Sequence, residues 1–157
     1  MGSFQIEGGH KLDGVIIPQG AKNEALQILC AVLLTREKIT ISNIPNIVDV
    51  NKLINLLKSL GVKVNHLSKG KYDFKADKVN IDFLNSSQYN NDAKQLRGSI
   101  MLVGPMLSRF GKGSIPRPGG DKIGRRRLDT HFEGLKLLGA NFNYNREDYF
   151  YDVTADK

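Results

Sequence analysis

A basic, glycine-rich stretch from Arg109 to Arg127 is the part of the sequence best equipped for chemistry. It holds seven lysines and arginines and one acid, so its charge is +6, whereas the whole 157-residue chain carries +7. Charge concentrated in this way indicates a local anionic partner, and the glycines allow backbone N–H groups and guanidinium groups to surround a phosphate or carboxylate. The single acid, Asp121, is either a structural counter-ion or a proton-transfer group. The basic residues are Arg109, Lys112, Arg117, Lys122, Arg125, Arg126 and Arg127.

A second candidate anion site lies at the start of the first predicted helix, in Gly20-Ala21-Lys22-Asn23. The positive end of the helix dipole disfavours a lysine there, unless an anion occupies the free N–H groups of the first turn. Arg97 opens the corresponding helix in the second half of the chain. The alternative is a solvated surface lysine, and the two related cations favour an anion site.

The remaining reactive residues suggest no further chemistry. Cys30 lies in an apolar run and is expected to be a small buried side chain that forms no internal disulfide. No apolar run approaches the ~20 residues that span a bilayer, and the N-terminus has no signal-peptide pattern. The three histidines, His10, His66 and His131, lack metal-ligand spacing. We therefore expect a cytoplasmic protein with no cofactor, no metal and no membrane partner.

Apolar periodicity predicts that the chain is built from a repeated unit of helix, strand, helix, strand and strand. The two most similar segments are Leu56–Val62 and Gly134–Ala140, which lie 78 residues apart. Each segment contains a glycine that is predicted to end a helix. The first unit comprises helices 21–34 and 48–60 and strands 38–44, 62–66 and 72–76. The second comprises a helical segment 96–110, strand 113–115, turn 116–120, helix 130–138 and strands 141–144 and 149–153. An opening strand at 15–18 and a polar connector at 80–91 complete the predicted α/β organisation.

Six short motifs are spread along nearly the whole chain. They are Ile6-Glu7-Gly8-Gly9 with Leu12-Asp13-Gly14, Gly20-Ala21-Lys22-Asn23-Glu24-Ala25-Leu26, Asn43-Ile44-Pro45 with Asp49-Val50, Leu96-Arg97-Gly98-Ser99-Ile100, Gly104-Pro105-Met106-Leu107-Ser108-Arg109-Phe110-Gly111 and Pro118-Gly119-Gly120-Asp121-Lys122-Ile123-Gly124-Arg125-Arg126. In this order they resemble the N-terminal part of the UDP-N-acetylglucosamine enolpyruvyl transferases. Lys22-Asn23 argues against the sister enzymes of the shikimate pathway, which open the first helix with a Gly-Ser-Lys-Ser type of pattern.

The resemblance implies an inside-out α/β barrel, with helices inside, sheets outside and three repeat units in each of two domains. Residues 1–20 would then be an N-terminal segment that packs with the second domain. Residues 21–157 would supply about two units of the first domain, at 21–79 and 96–157. The second domain is absent from this sequence, and with it the family's catalytic aspartate and a further arginine that binds phosphoenolpyruvate.

The implied reaction transfers the enolpyruvyl group from phosphoenolpyruvate to the 3′-hydroxyl of UDP-N-acetylglucosamine, the first committed step of peptidoglycan precursor synthesis. The implied partners are these two substrates and the missing C-terminal part of the same enzyme. We expect the isolated chain to be inactive. We also expect exposed apolar surface to favour association with other copies.

The resemblance also assigns roles to individual residues. Lys22, Arg97, Asp121 and Arg126 match positions that hold phosphoenolpyruvate, and Asp121 and Lys22 match catalytic positions. The residues matched to the UDP-sugar site are Asn23, Arg126, Arg127, Leu128, Asp129 and Thr130. Asp121 stands where many members have the cysteine that fosfomycin alkylates, which implies insensitivity to that drug. Arg127 replaces the usual proline, and Asp129 with Thr130 and Glu133 could instead form a capping box.

Two other functions remain open from the residues alone. The basic stretch could bind RNA, although its single aromatic residue, Phe110, provides poorly for stacking on bases. The chain could also be a non-catalytic truncated protein that binds a partner. The resemblance favours the transferase and predicts no nucleic-acid partner.

Overall fold

A computed structural model describes residues 2–116, 127–147 and 149–156 of the chain. These residues form five α-helices, six strands and three short 3₁₀ helices at 32–34, 82–85 and 97–102. The helices are α1 (Lys22–Ala31), α2 (Val48–Ser59), α3 (Ser87–Lys94), α4 (Val103–Phe110) and α5 (Asp129–Leu137). The strands are β1 (Lys38–Ile41), β2 (Lys63–Ser68), β3 (Lys71–Lys75), β4 (Lys112–Pro116), β5 (Ala140–Asn145) and β6 (Phe150–Ala155).

The strands form two antiparallel sheets with the same topology, β1-β3-β2 and β4-β6-β5. In each sheet the last strand of the unit lies in the middle. Phe74 of β3 pairs with Ile39 and Val64, and Val153 of β6 pairs with Gly113 and Phe142. We call residues 22–75 the first unit and residues 97–155 the second unit. The predicted repetition of helix, strand, helix, strand and strand is confirmed.

The main core forms where α1 and α2 pack together over the first sheet. The apolar residues of α2 recur at intervals of three and four, which places them on one face of a helix. Val50, Leu53 and Leu57 on that face have no exposed surface. A smaller core in the second unit joins Val103 and Leu107 of α4 to Ile115 and Val153 of the second sheet. Helices therefore lie on the inner side of both sheets.

The two predicted glycine helix stops are confirmed. Gly61 follows α2 with φ of 94° and Gly139 follows α5 with φ of 93°. This left-handed conformation is the usual end of a helix, and glycine adopts it without steric cost. The chain then reverses into β2 and β5.

The predicted opening strand at 15–18 is wrong. Val15, Ile16 and Ile17 are about 90 % exposed, and they belong to no strand of the described chain. A strand forms only when a neighbouring strand satisfies its backbone N–H and C=O groups. None of the described strands pairs with this segment, so the apolar sequence forms no strand.

The predicted connector at 80–91 is also wrong, because it contains the 3₁₀ helix 82–85 and most of α3. The Ser86 hydroxyl accepts a hydrogen bond from the backbone N–H of Tyr89 at 3.0 Å. Ser86, in the polar part of this segment, is therefore the N-cap of α3. Tyr89 is 1 % exposed and donates its hydroxyl to the carbonyl of Ser114. The segment thus fastens the first unit to the second.

Several predicted boundaries shift. The first helix ends at Ala31 and continues as a 3₁₀ turn, and segment 96–110 is a 3₁₀ helix followed by α4. β1 ends at Ile41, and Asn43 takes a φ of 60°. Of the predicted turn at 116–120, Pro116 is the last residue of β4. Residues 117–120 lie outside the described residues.

Candidate anion-binding site

Four helix starts face one open cleft of about 960 Å³. They are the first turns of α1, α2, the 3₁₀ helix 97–102 and α5. The lining residues are Lys22, Asn23, Leu26, Gln27, Val48, Asp49, Lys52, Gln95, Arg97, Gly98, Ile100, Met101, Arg127, Leu128 and His131. We call this space the helix-start cleft.

None of these four helices has a side-chain cap. Their N-cap residues are Ala21, Ile47, Leu96 and Leu128, whose side chains make no capping hydrogen bond. The first N–H groups of a helix have no partner within the helix, and the dipole places positive charge there. By contrast α3, whose residues do not line the cleft, is capped by Ser86. The helix-start cleft is therefore polarised towards an anion even before its side chains are counted.

The lining side chains add to this positive field. Lys22, Lys52, Arg97 and Arg127 supply four formal positive charges, and Asp49 is the only acid among the described lining residues. Arginine can bind a carboxylate or phosphate through two parallel hydrogen bonds, and lysine acts as a point charge. The arrangement is suited to a ligand with several negative charges.

The structure brings five of the predicted site residues to this cleft: Lys22, Asn23, Arg97, Arg127 and Leu128. Lys22 and Arg97 come from equivalent helix starts in the two units, as the repeat predicted. Their assignment to particular substrates stays a prediction. Asp121 and Arg126 lie outside the described residues.

Two predicted UDP-sugar residues, Asp129 and Thr130, do not line the cleft. The Asp129 carboxylate instead accepts a hydrogen bond from the Arg127 guanidinium. The alternative capping box is wrong, because α5 begins at Asp129 and its N-cap is Leu128, without a side-chain cap. Asp129 acts here on the orientation of Arg127.

Arg109, the first cation of the basic stretch, is directed away from the helix-start cleft. One guanidinium nitrogen donates to the carbonyls of Leu33 and Thr35 at 2.7 and 2.9 Å, and the other donates to the carbonyl of Ala76 at 2.8 Å. Burial, and secondarily the charge of Arg36, lower the pKa of Arg109 from its ordinary value. Arg109 therefore links the second unit to the first. Arg109 therefore does not contribute its charge to the helix-start cleft.

Sequence reasoning missed five polar residues of the cleft: Gln27, Asp49, Lys52, Gln95 and His131. Their helical spacing carried a partial signal. Gln27 lies one turn after Asn23 on α1, and Lys52 lies one turn after Asp49 on α2. That α1 and α2 present these faces to the same space depends on how the helices pack.

Cys30 is not a nucleophile. It is 1 % exposed, and burial raises the pKa of its thiol to about 12, so the thiol stays protonated at neutral pH. The expected role as a small buried side chain is confirmed. Among the described residues no group of three His, Cys, Asp or Glu side chains could hold a metal ion.

The described helices are also all too short or too polar to cross a bilayer.

Comparison with known structures defines the class to which this fold belongs. A crystal structure of the enolpyruvyl transferase NikO from Streptomyces tendae superposes with a TM-score of 0.69, at 17 % identity, over 96 % of this chain and 32 % of that one. The enolpyruvyl transferase fold predicted from the motifs is thus confirmed. The described part of the chain contains two sheets and no closed barrel, which corresponds to an incomplete version of that fold.

Sequence comparison places the chain within one family. The family model for EPSP synthase (3-phosphoshikimate 1-carboxyvinyltransferase) matches residues 6–156, and the chain belongs to this family. Among its relatives, the UDP-N-acetylglucosamine 1-carboxyvinyltransferases of Bacteroides fragilis and Porphyromonas gingivalis are 55 % and 52 % identical over the whole chain. The chain spans 36 % of the length of either relative.

Proposed function

We propose that this chain is part of a cytoplasmic enzyme that transfers the enolpyruvyl group of phosphoenolpyruvate to the 3′-hydroxyl of UDP-N-acetylglucosamine. The observation that carries the proposal is the helix-start cleft, where four uncapped helix starts meet four cationic side chains. The names of the relatives supply the substrate class. The reaction would be the first committed step of peptidoglycan precursor synthesis.

The proposed mechanism uses the cleft as a fixed cationic cradle for phosphoenolpyruvate. Lys22 and Arg97 would bind the phosphate and carboxylate groups, together with Arg126 from outside the described residues. The oxygen of the sugar 3′-hydroxyl bonds to C2 of phosphoenolpyruvate as the hydroxyl proton passes to a base and C3 takes up a proton from an acid. The net result is addition of O–H across the C2–C3 double bond. C3 then loses a proton, the bond from C2 to the phosphate oxygen breaks, and inorganic phosphate leaves. Preorganised cations and helix starts stabilise the charge that develops on the departing phosphate.

The proposed acceptor site lies beside this cradle. Asn23 is adjacent to Lys22 on α1, and Arg127 and Leu128 lie at the start of α5 on the same cleft. We assign these residues, with Asp129 and Thr130 behind them, to the UDP-sugar. Asp129 would act by orienting Arg127, whose guanidinium it binds.

We further propose that the chain is inactive without the remainder of a full-length enzyme. Apolar side chains between Phe4 and Ile17 are almost fully exposed, as are Leu137 and Leu138 at 89 % and 83 %. Apolar surface of this kind normally marks contact with another protein segment. In a protein of the relatives' length the missing segment covers it. In the isolated chain we expect the same surface to favour association between copies.

The test is a chimera in which this chain replaces the matching 36 % of the Bacteroides fragilis relative. We expect the chimera to release phosphate only when phosphoenolpyruvate and UDP-N-acetylglucosamine are both present, and we expect the chain alone to release none. An inactive but folded chimera, assayed beside the active relative, would contradict the proposed function. Turnover by the rigorously purified chain would contradict its dependence on the missing part.

The same chimera distinguishes the two roles considered for Asp121. If Asp121 transfers the proton, Asp121→Asn lowers turnover by about 100-fold or more, the usual scale for a general acid. Asp121→Cys then retains activity and becomes sensitive to fosfomycin, since nearby cations activate a thiolate. If Asp121 is only a counter-ion, Asp121→Asn changes stability and salt dependence but leaves turnover nearly intact.

A further inference from the structure

Asp49 is an acid in a space otherwise equipped for anions. It is the only carboxylate among the described residues that line the helix-start cleft, and it lies in the first turn of α2. A negative charge at this point repels the anion that the other side chains attract. Its presence therefore calls for a function other than ligand binding.

The contact that Asp49 makes is with Lys22. The Lys22 ammonium donates to a carboxylate oxygen of Asp49 at 3.0 Å, across 27 positions of the sequence. Lys22 opens α1, so the pair joins the starts of two different helices. The side chains are 45 % and 38 % exposed, which leaves the ammonium accessible to a ligand in the cleft.

The helix starts that carry this pair are anchored in the core. Within about one turn of Lys22 on α1, the side chains of Ala25 and Leu26 are only 8 % exposed. Within about one turn of Asp49 on α2, Val50 and Leu53 have no exposed surface. These residues belong to the main core that packs α1 against α2. The positions from which both side chains extend are therefore set by the core.

We propose that Asp49 is a positioning residue, which holds the ammonium of Lys22 at one place in the cleft and weakens anion binding as a consequence. A lysine has four flexible methylenes, and without a partner its charge samples many rotamers. The negative charge of Asp49 is favourably placed in the first turn of α2. It thus confines Lys22 at the cost of one repulsive charge. The catalytic part of this inference rests on the proposed function, whereas the confinement of Lys22 does not.

The first test measures that confinement in the chain as it stands. In samples with ¹³C-labelled lysine, NMR relaxation at the Lys22 ε-carbon reports the motion of the side chain. We expect restricted motion in the wild type and free motion in Asp49→Asn, which keeps the shape and one acceptor oxygen but loses the charge. Equal mobility of Lys22 in the two proteins would overturn the proposal, whatever reaction the enzyme performs.

The second test uses turnover and anion affinity together, in the chimera with the Bacteroides fragilis relative. Asp49→Asn should lower kcat by about 10- to 100-fold, because a misplacement of about 1 Å can cost about 100-fold. The same change should tighten inhibition by inorganic phosphate by roughly threefold, as expected on removing one like charge about 7 Å away in water. A general structural defect would weaken both properties. Unchanged kcat, or phosphate inhibition weakened along with kcat, would overturn the proposal.

Two further variants make the result specific. Asp49→Glu keeps the negative charge. We expect this variant to show phosphate inhibition at the wild-type level and most of the wild-type kcat. Failure to recover either property would count against positioning by charge. Glu24→Gln removes an exposed carboxylate from the same turn of α1 as Lys22, but Glu24 lines a different pocket and should leave kcat unchanged. If the unmodified chimera is inactive, the proposed function fails, and the NMR comparison still decides whether Asp49 confines Lys22.

Discussion

The helix before the hairpin ends in the same way in both repeat units, yet it is buried in the first unit and exposed in the second. Leu60 and Leu138 are equivalent C-cap residues, and each is followed by a glycine with φ near +94° and then by a strand. Leu60 has no exposed surface, whereas Leu138 is 83 % exposed. Similar local sequence has produced the same turn in two different environments.

The difference arises from the neighbours of each helix. α2 packs against α1 on one side and α3 on the other, and it buries five side chains. α5 packs on β5, and none of its residues is fully buried. Phe132 and Leu135 of α5 only cover the edge of the second core. Helix, glycine and strand patterns in the sequence therefore set the local path of the backbone. How much each helix contributes to stability depends on which other elements pack against that helix.

The largest expected effect comes from the matched pair Leu60→Ala and Leu138→Ala. Removing a fully buried leucine typically costs about 2–5 kcal/mol, because burial is lost and a cavity remains. Removing an exposed one changes stability by about 0.5 kcal/mol or less. Urea unfolding of both variants measures the two free energies, in the isolated chain at a dilution where sedimentation shows a monomer. Equal losses would show that Leu138 is buried in solution and would break the comparison.

An intermediate effect is expected for Arg109→Lys, which tests how the two units are joined. A lysine ammonium cannot reach all three carbonyls of Leu33, Thr35 and Ala76, so we expect a loss of about 2 kcal/mol, the scale of a hydrogen bond to a charged group. Arg146→Lys, at an exposed turn between β5 and β6, is the control and should be neutral. A smaller dependence of the unfolding free energy on urea would further show that the units unfold separately. Full stability in Arg109→Lys would mean that the units are joined by their apolar contacts alone.

The smallest effect, and the finest comparison, is between Gly61→Ala and Gly139→Ala. Both replacements force an L-residue into the left-handed region, which costs roughly 1 kcal/mol. At Gly61 the new methyl group would also lie 2.6 Å from the carbonyl oxygen of Lys78, whereas at Gly139 nothing lies within 4 Å. We expect Gly61→Ala to lose about 1 kcal/mol more than Gly139→Ala in thermal unfolding, since strained sites cost about 1–3 kcal/mol each. A larger loss of stability in Gly139→Ala than in Gly61→Ala would contradict this and would show that other groups pack closely around Gly139.

Elements that depend on a few neighbouring residues could be predicted from the sequence alone. The glycine helix stops, the hairpin between β2 and β3 and the repeated order of elements were all predictable from periodicity and turn residues. Lys22 and Arg97 could also be selected, because a cation in the first turn of a helix is locally unfavourable without an anion. These signals act over one or two turns, so no knowledge of the packing was needed.

The folded structure alone shows which distant residues meet. It pairs Lys22 with Asp49, turns Arg109 towards carbonyls of the first unit and buries Tyr89 of a segment whose polar sequence had indicated a connector. It also leaves the apolar residues 15–17 without a partner strand. Each outcome depends on groups far apart in the chain, and neither periodicity nor composition specifies which surfaces the helices and sheets bring together. Local propensity therefore set the path of the chain, and packing set the chemistry of the cleft.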